Sequence, residues 1–516
     1  MTSYLTPSYC SRFGVAVLLA ALADFLFYGQ PAGINFFLFA ILTAGAVVAV
    51  HPSALSDIRV WLKPSALLVA LLPLTENVSV LSVSIGLAAL AVFALSLTRR
   101  LRHNLARIAG QLLAFALATP FRFVHDFFRW RRAARQLGQR RIRFAAIAVW
   151  IMPLVLGAVF LALFGAANPV IEYWFSLIDL FALLKLIQLP RLFFWLVVLA
   201  GVWAFLRPRL PRFARRIPRL APTAKVRPSA KTTTTIEDIV FGKAAIFRAL
   251  VVFNILFVVQ TGLDAAYLWG GAALPDGLTY AAYAHRGAYP LVITALLAAG
   301  FVLAALRPGS ATSGDRLIRT LVYAWVAQTI ALVVSSILRL DLYIGIYALT
   351  YWRVAAFVWM GLVAAGLALI IARIALEKPN EWLSSANLLT LSATLYACSY
   401  INFAALIANY NVDHCLEMTG RGTSLDVGYL HALGPGAFPA LDRFLEHQGR
   451  SIAADTASVT ALLNLVDRHE ANKAAYRVVQ KNWRAWSFRN WRLDGYLDTH
   501  GPFVVPDRFE RPLSGP

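Results

Sequence analysis

Cysteine is nearly absent: Cys10, Cys398 and Cys415 are the only three in 516 residues. They offer no CxxC pair and no disulfide framework, which removes thiol-based metal binding and a stapled secreted scaffold from the reading. Charge is scarce too. Asp, Glu, Lys and Arg make up 14% of the chain, while hydrophobic residues reach 59%, against about a quarter charged and under half apolar in a soluble domain. No GxxxxGK[ST], HExxH or GxSxG pattern occurs, so the familiar phosphate-cradling, zinc-protease and nucleophile-elbow chemistries have no sequence support. His285, His414 and His431 are too scattered to propose a zinc site. No metal and no cofactor is expected. The neighbours Asp413, His414 and Cys415 invite a nucleophile reading, but one such trio is weak evidence of catalysis.

What the chain has in abundance is long apolar runs. Phe144 to Phe164, Leu291 to Leu306 and Val354 to Leu376 are examples, and such runs cross about 30 Å of hydrocarbon as helices. They are continuous, unlike the short alternating strands of a membrane barrel. The expected fold is all-α: a polytopic membrane bundle of about eleven helices with a small C-terminal extramembrane helical domain. The expected spans are 12–28, 31–50, 61–77, 78–97, 144–165, 188–206, 244–264, 288–306, 317–337, 354–376 and 384–407. Arg12 is too thin a basic region to make the first run a cleaved signal, so it reads as a retained membrane helix.

The formal net charge of +22 is unevenly placed, because residues 98–143 and 207–248 hold 23 of the 48 Lys and Arg residues. Basic loops stay cytoplasmic. That rule puts the N-terminus inside and the tail outside, leaving about +24 on the inner side of the membrane part and −2 on the outer side. The tail, 408–516, has 12 bases and 12 acids. Anionic inner-leaflet lipid therefore explains the basic loops better than nucleic acid does, and the lipid bilayer is the expected partner.

The expected organisation is an N-terminal membrane half (1–206, including a basic cytoplasmic loop at 98–143), a basic flexible linker (207–243), a C-terminal membrane half (244–407) and an extramembrane tail (408–516). Leu105 to Thr119 is apolar, short and flanked by arginines, as an interfacial helix on the inner face would be. Asn168 to Leu189 reads as an amphipathic or re-entrant outer helix. In the tail, helical patterns appear near 438–448, 456–480 and 481–498, the last with Trp483, Trp486 and Trp491 on one arc. That arc suits either a membrane surface or a local core.

Ionisable groups near a membrane are costly and mark candidate sites. Asp24, Glu76, Asp264, His285, Arg286, Asp341 and Arg353 are expected near the outer face, where they could gather into one polar site, line a proton path or bind a headgroup. The competing expectation is that they snorkel or pair structurally. The densest group is TYAAYAHRGAYPL, 279–291, where His285 titrates near neutrality and Arg286 can grip phosphate or carboxylate.

Four segments carry a family resemblance: TYAAYAHRGAYPLVITALLAAGFVLAAL (279–306), LDLYIGIYALTYWRVAAFVWMGLVAAGLAL (340–369), WLSSANLLTLSATLYACSYINFAALIANYNV (382–412) and LDVGYLHALGPGAFPALDRF (425–444). Through them the chain resembles, best over 240–500, the uncharacterised bacterial multi-pass membrane family known as domain of unknown function 4173. The resemblance implies an inner-membrane location and draws attention to His285, Arg286, Asp341, Arg353, Asn402 and Asn411. It implies no reaction. Three functions are consistent with the sequence: a non-enzymatic accessory, sensing or envelope-associated protein; a transporter or lipid flippase using the outer polar groups; and a lipid-linked glycosyltransferase built around Asp24. The flippase reading requires Asp264, Asp341 and Arg353 to line one cavity. Cys415 is expected to be the one thiol exposed outside.

Overall fold

The computed structural model describes residues 5–51, 62–98, 105–136, 188–210, 242–269, 315–451 and 456–501, with isolated positions at 152–160 and 293–301. Residues 168–187 of the expected outer helix and most of the spans 144–165 and 288–306 lie outside the described residues. No strand occurs among the described residues. Seven of their helices are long and apolar enough to cross a membrane, or eight if one bent pair counts as a single span. The protein is an all-α polytopic membrane bundle, and its chain divides into two compact units, one ending at Ile217 and the other beginning at Pro218, with Asn104–Ala106 grouped in the second.

The first unit contains α1 (Leu5–Phe27), α2 (Ile34–Val50), α3 (Leu62–Leu71), α4 (Pro73–Glu76), α5 (Val80–Leu97), α6 (Leu105–Gln136) and α7 (Leu189–Leu206). Ala16, Ala20 and Ala23 are fully buried along one side of α1, where small side chains let the α7 backbone approach. Asn35 fixes the α1–α2 turn: its Nδ2 donates to Leu26 O at 2.8 Å and to Pro31 O at 3.0 Å. The expected span 61–77 is not one helix. Pro73 has no N–H to donate back to the preceding turn, so the hydrogen-bond ladder breaks there: α3 ends after ten residues, about 15 Å of helix, although Leu72 itself keeps helical dihedrals, φ −52 and ψ −37. Ser79 then caps α5, with Ser79 Oγ accepting from Ser82 N and Ser82 Oγ accepting from Ser79 N.

The apolar stretch 105–119 is likewise only the start of a 32-residue helix. Phe115 of α6 packs with Leu95, Ala204 and Leu210, while Phe123 and Trp130 meet Tyr9, Phe13 and Trp203. All these partners belong to the first turns of α1 or to the last turns, or just beyond, of α5 and α7. Some 15 residues of α6, about 23 Å, thus lie across helix ends instead of along helix sides.

The second unit begins with α8 (Lys243–Asp264), which runs into a π-helical turn at Ala265–Trp269. It continues with α9 (Arg316–Tyr347), α10 (Tyr351–Ala375) and α11 (Asn380–Cys398). Each packs on the next around Leu250, Ile318, Val322, Trp325, Met360 and Leu367. Asp315 starts α9, accepting from Leu317 N at 2.9 Å and pairing with Lys243 at 2.6 Å.

The expected span 384–407 is bent within its length. The chain bends by 68° between α11 and α12 (Phe403–Asp413), because Asn402 interrupts the helix and caps the next, accepting from Ala405 N at 3.2 Å. Gly436 packs against this corner, where a Cβ would come within 3.0 Å of both Ala404 Cβ and Asn402 Oδ1. The rest is α13 (Leu416–Thr419), α14 (Val427–Ala432), α15 (Phe438–Ser451), α16 (Thr456–Gln480) and α17 (Phe488–Thr499). Ala408 and Val412 of α12 share a core with Leu430, Leu441 and Leu445, so the tail folds onto α12. The expected helix 481–498 is a 3-10 turn at Trp483–Ala485 followed by α17, which Ser487 caps by accepting from Asn490 N. Trp483 and Trp491 are 50% and 60% exposed, so the tryptophans do not form a local core.

Candidate functional site

A cavity of about 470 Å³ opens in the second unit where the α9–α10 link meets α12 and the loop 414–426. Its wall begins at a tight corner. Ala348 has φ 62, a conformation costly for a residue with a Cβ, and two side chains hold it there. Arg353 donates to Tyr347 O at 2.5 Å and also to Ala348 O. Asn411 grips Leu349, donating to its carbonyl at 2.9 Å and accepting from its N–H at 2.7 Å. Ile407 of α12 is fully buried against Ile344 and Leu349.

The opposite wall is a loop closed on itself. Leu416 N donates to Thr423 O at 2.9 Å, and the Glu417 carboxylate accepts from Leu425 N at 3.1 and 3.2 Å. Gly422 turns beneath His414 with φ +94, where a Cβ would stand 2.6 Å from His414 O; only glycine fits. Tyr429 bridges the walls, its hydroxyl accepting from Tyr351 N at 3.0 Å. The lining combines Ile344, Leu349 and Leu425 with Tyr410, Tyr429 and the exposed Arg421. A hollow whose lining carries both a cation, Arg421, and a carboxylate, Asp426, beside apolar side chains suits a small amphiphile.

The sequence-predicted residues do not gather there. Asp24 pairs with Arg191 in the first unit, with Arg191 Nε donating at 2.9 Å. Glu76 is buried in the short α4 of the same unit. In the second unit Asp264 is enclosed between α8 and α9: Arg339 donates to it, as do Ser335 at 2.6 Å and Gln260 at 2.9 Å. Asp341 is exposed on α9. Arg353 acts at the Ala348 corner, its guanidinium 4.7 Å from the Tyr343 ring. None of these five lines the cavity. His285 and Arg286 lie outside the described residues.

The trio at 413–415 diverges. Asp413 pairs with Arg443 at 3.0 Å, His414 stacks on Tyr410, and the Cys415 thiol donates to Val412 O. Burial pushes that thiol above its ordinary pKa. Cys415 is 2% exposed, which corrects the expectation of an accessible outer thiol: α12 ends two residues earlier, at Asp413, and the chain folds its sulfur into the tail core. Among the described residues no group of three or more His, Cys, Asp or Glu could hold a metal ion.

Sequence reasoning missed the cavity because its residues come from three separated segments. The available signals were Asn411 in an apolar run and the glycines flanking Arg421.

A family model described as domain of unknown function (DUF4153) matches residues 64–444. No curated protein and no solved structure matches this chain. The match is to an uncharacterised domain, as the quoted segments implied, and not to domain 4173 itself.

Proposed function

The chain belongs to the family of this domain of unknown function, DUF4153, and we propose that it is a non-enzymatic bacterial inner-membrane protein that receives a small ligand at the envelope face. Its role is sensing or accessory. The N-terminus is cytoplasmic and the tail periplasmic, an orientation supported by the charge difference between the two sides of the membrane part. The segments resembling domain 4173 support a closer kinship between the two families.

The observation that carries the reading is the cavity shared by the α9–α10 link and the tail loop. A ligand there touches both the bundle and the extramembrane helices, so its occupancy changes how firmly the two are joined. The flippase alternative required Asp264, Asp341 and Arg353 in one cavity, and the cavity includes none of them.

The test is a thermal-unfolding screen of small anionic and zwitterionic amphiphiles on the purified full-length protein, repeated on Leu425→Trp, which fills the hollow. A ligand at 100 times its Kd stabilises by about 2.7 kcal/mol. Stabilisation lost in Leu425→Trp supports the reading. Equal stabilisation in both proteins, or none with any compound, overturns it.

A further inference from the structure

In the first unit, where α6 meets the start of α1 and the end of α7, two arginines share one carboxylate and a third arginine stands near them. Asp126 of α6 is buried; Arg207 lies 3.3 Å from its Oδ2 and Arg209 3.4 Å from its Oδ1. Arg207 also lies over the rings of Trp203 and Tyr9, at 5.6 and 5.9 Å. Arg12, one turn beyond Tyr9, is close enough to repel both Arg209 and Arg207. Burial and these neighbours pull the Arg207 guanidinium down, while Asp126 pulls it up. Among the described residues no carboxylate pairs with Arg12, and the buried Arg207 Nε has no hydrogen-bond partner. Among the described residues the balance is three cations against one anion in a half-buried place, which is unfavourable unless a further anion arrives.

The other side of α6 indicates where that anion comes from. Leu113, Leu117, Phe121, Val124 and Phe128 recur every three or four residues and are all exposed, forming one stripe. Asp126, Phe123 and Trp130 occupy the opposite side and pack on the helix ends. A helix lying across a bundle with an apolar stripe turned outward is suited to the boundary between headgroups and acyl chains.

We propose that Arg12, Arg207 and Arg209 bind the phosphate of an anionic phospholipid, with the α6 stripe beside its acyl chains and Asp126 orienting the guanidiniums. Guanidiniums grip phosphate through paired hydrogen bonds, and basic pockets at the cytoplasmic ends of membrane helices receive such headgroups. The bound lipid would hold α6 against the bundle. This site is independent of the cavity in the second unit.

The experiment titrates full-length protein in mild detergent with phosphatidylglycerol, phosphatidylcholine or inorganic phosphate, following thermal unfolding and lipid adducts by native mass spectrometry. Phosphatidylglycerol should stabilise and be retained, and phosphatidylcholine should do neither. Arg12→Gln and Arg209→Gln, each checked for native helicity by circular dichroism, should weaken phosphatidylglycerol binding roughly tenfold. Among the described residues Arg12 has no ion-pair partner to lose, so its variant separates lipid binding from folding. Wild-type binding in both folded variants, or equal effects of the two lipids, overturns the proposal. Equal stabilisation by inorganic phosphate assigns the site to a soluble anion and overturns the lipid.

Discussion

Asn411 holds the backbone of Leu349 across 62 residues of sequence, one amide group answering another in both directions. Both partners are buried, so removing the side chain leaves a buried N–H and a buried carbonyl without their hydrogen-bond partner. Asn411→Ala should destabilise the second unit by about 2–6 kcal/mol, at roughly 1–3 kcal/mol for each stranded group. Denaturant unfolding in detergent, followed by tryptophan fluorescence, measures it. Asn411→Asp keeps the acceptor and loses the donor, and should also be destabilised.

The pair Asp264–Arg339 joins α8 to α9 in the interior of the second unit, with both side chains at most 3% exposed. Leaving either charge alone costs about 3–5 kcal/mol, whereas replacing both with apolar side chains is often neutral. Asp264→Leu and Arg339→Met should each lower the melting temperature sharply, and the double variant should recover most of the loss. A double variant as unstable as the sum of the singles would show that the two residues act separately.

The tail should weaken in acid in two steps. Burial pushes the Asp442 carboxyl up, but hydrogen bonds from His469 and Lys473, at 2.9 and 2.5 Å, together with their charges hold it below the ordinary range. Its stabilisation is present above about pH 4 and is lost as pH falls through the lowered value. His431 is pulled down by burial and by the neighbouring His469 and Arg468. The folded tail therefore prefers its neutral ring, and that preference is full above about pH 6.5 and fades below it. Hydrogen exchange of α15 and α16 should show both steps. His431→Asn should remove the upper one and Asp442→Asn the lower.

The fold class was legible because apolar run length and charge scarcity need no tertiary information. Partner choice was not: Asp264 selects Arg339 from 75 residues away, and no periodicity distinguishes that arginine from Arg353. The 68° bend at Asn402 had a visible sign in Ser399 and Asn402 interrupting an apolar run, since both side chains compete for backbone hydrogen bonds. Helix α6 was harder: its length and composition are those of a span, while its aromatic side chains meet the ends of α1, α5 and α7. The tryptophans of 483–491 shared an arc in sequence, but Ser487 starts a new helix between them.

The direction of the chain through the membrane needs a reporter other than the native tail cysteine. Cys415 is buried and its thiol is held protonated by burial, so it should resist maleimide in native protein and react after denaturation in SDS. A tail that simply hides its sulfur would thus be mistaken for a tail on the inside. Arg450 avoids this ambiguity. It lies near the end of α15 with its side chain 79% exposed, and its ion pair to Glu446 at 3.5 Å is a surface pair of little energetic weight. Arg450→Cys in a Cys10→Ser background should label with a membrane-impermeant maleimide on intact spheroplasts if the tail is periplasmic. Labelling only after lysis would put the tail in the cytoplasm, which would also reverse the side assigned to the arginines around Asp126.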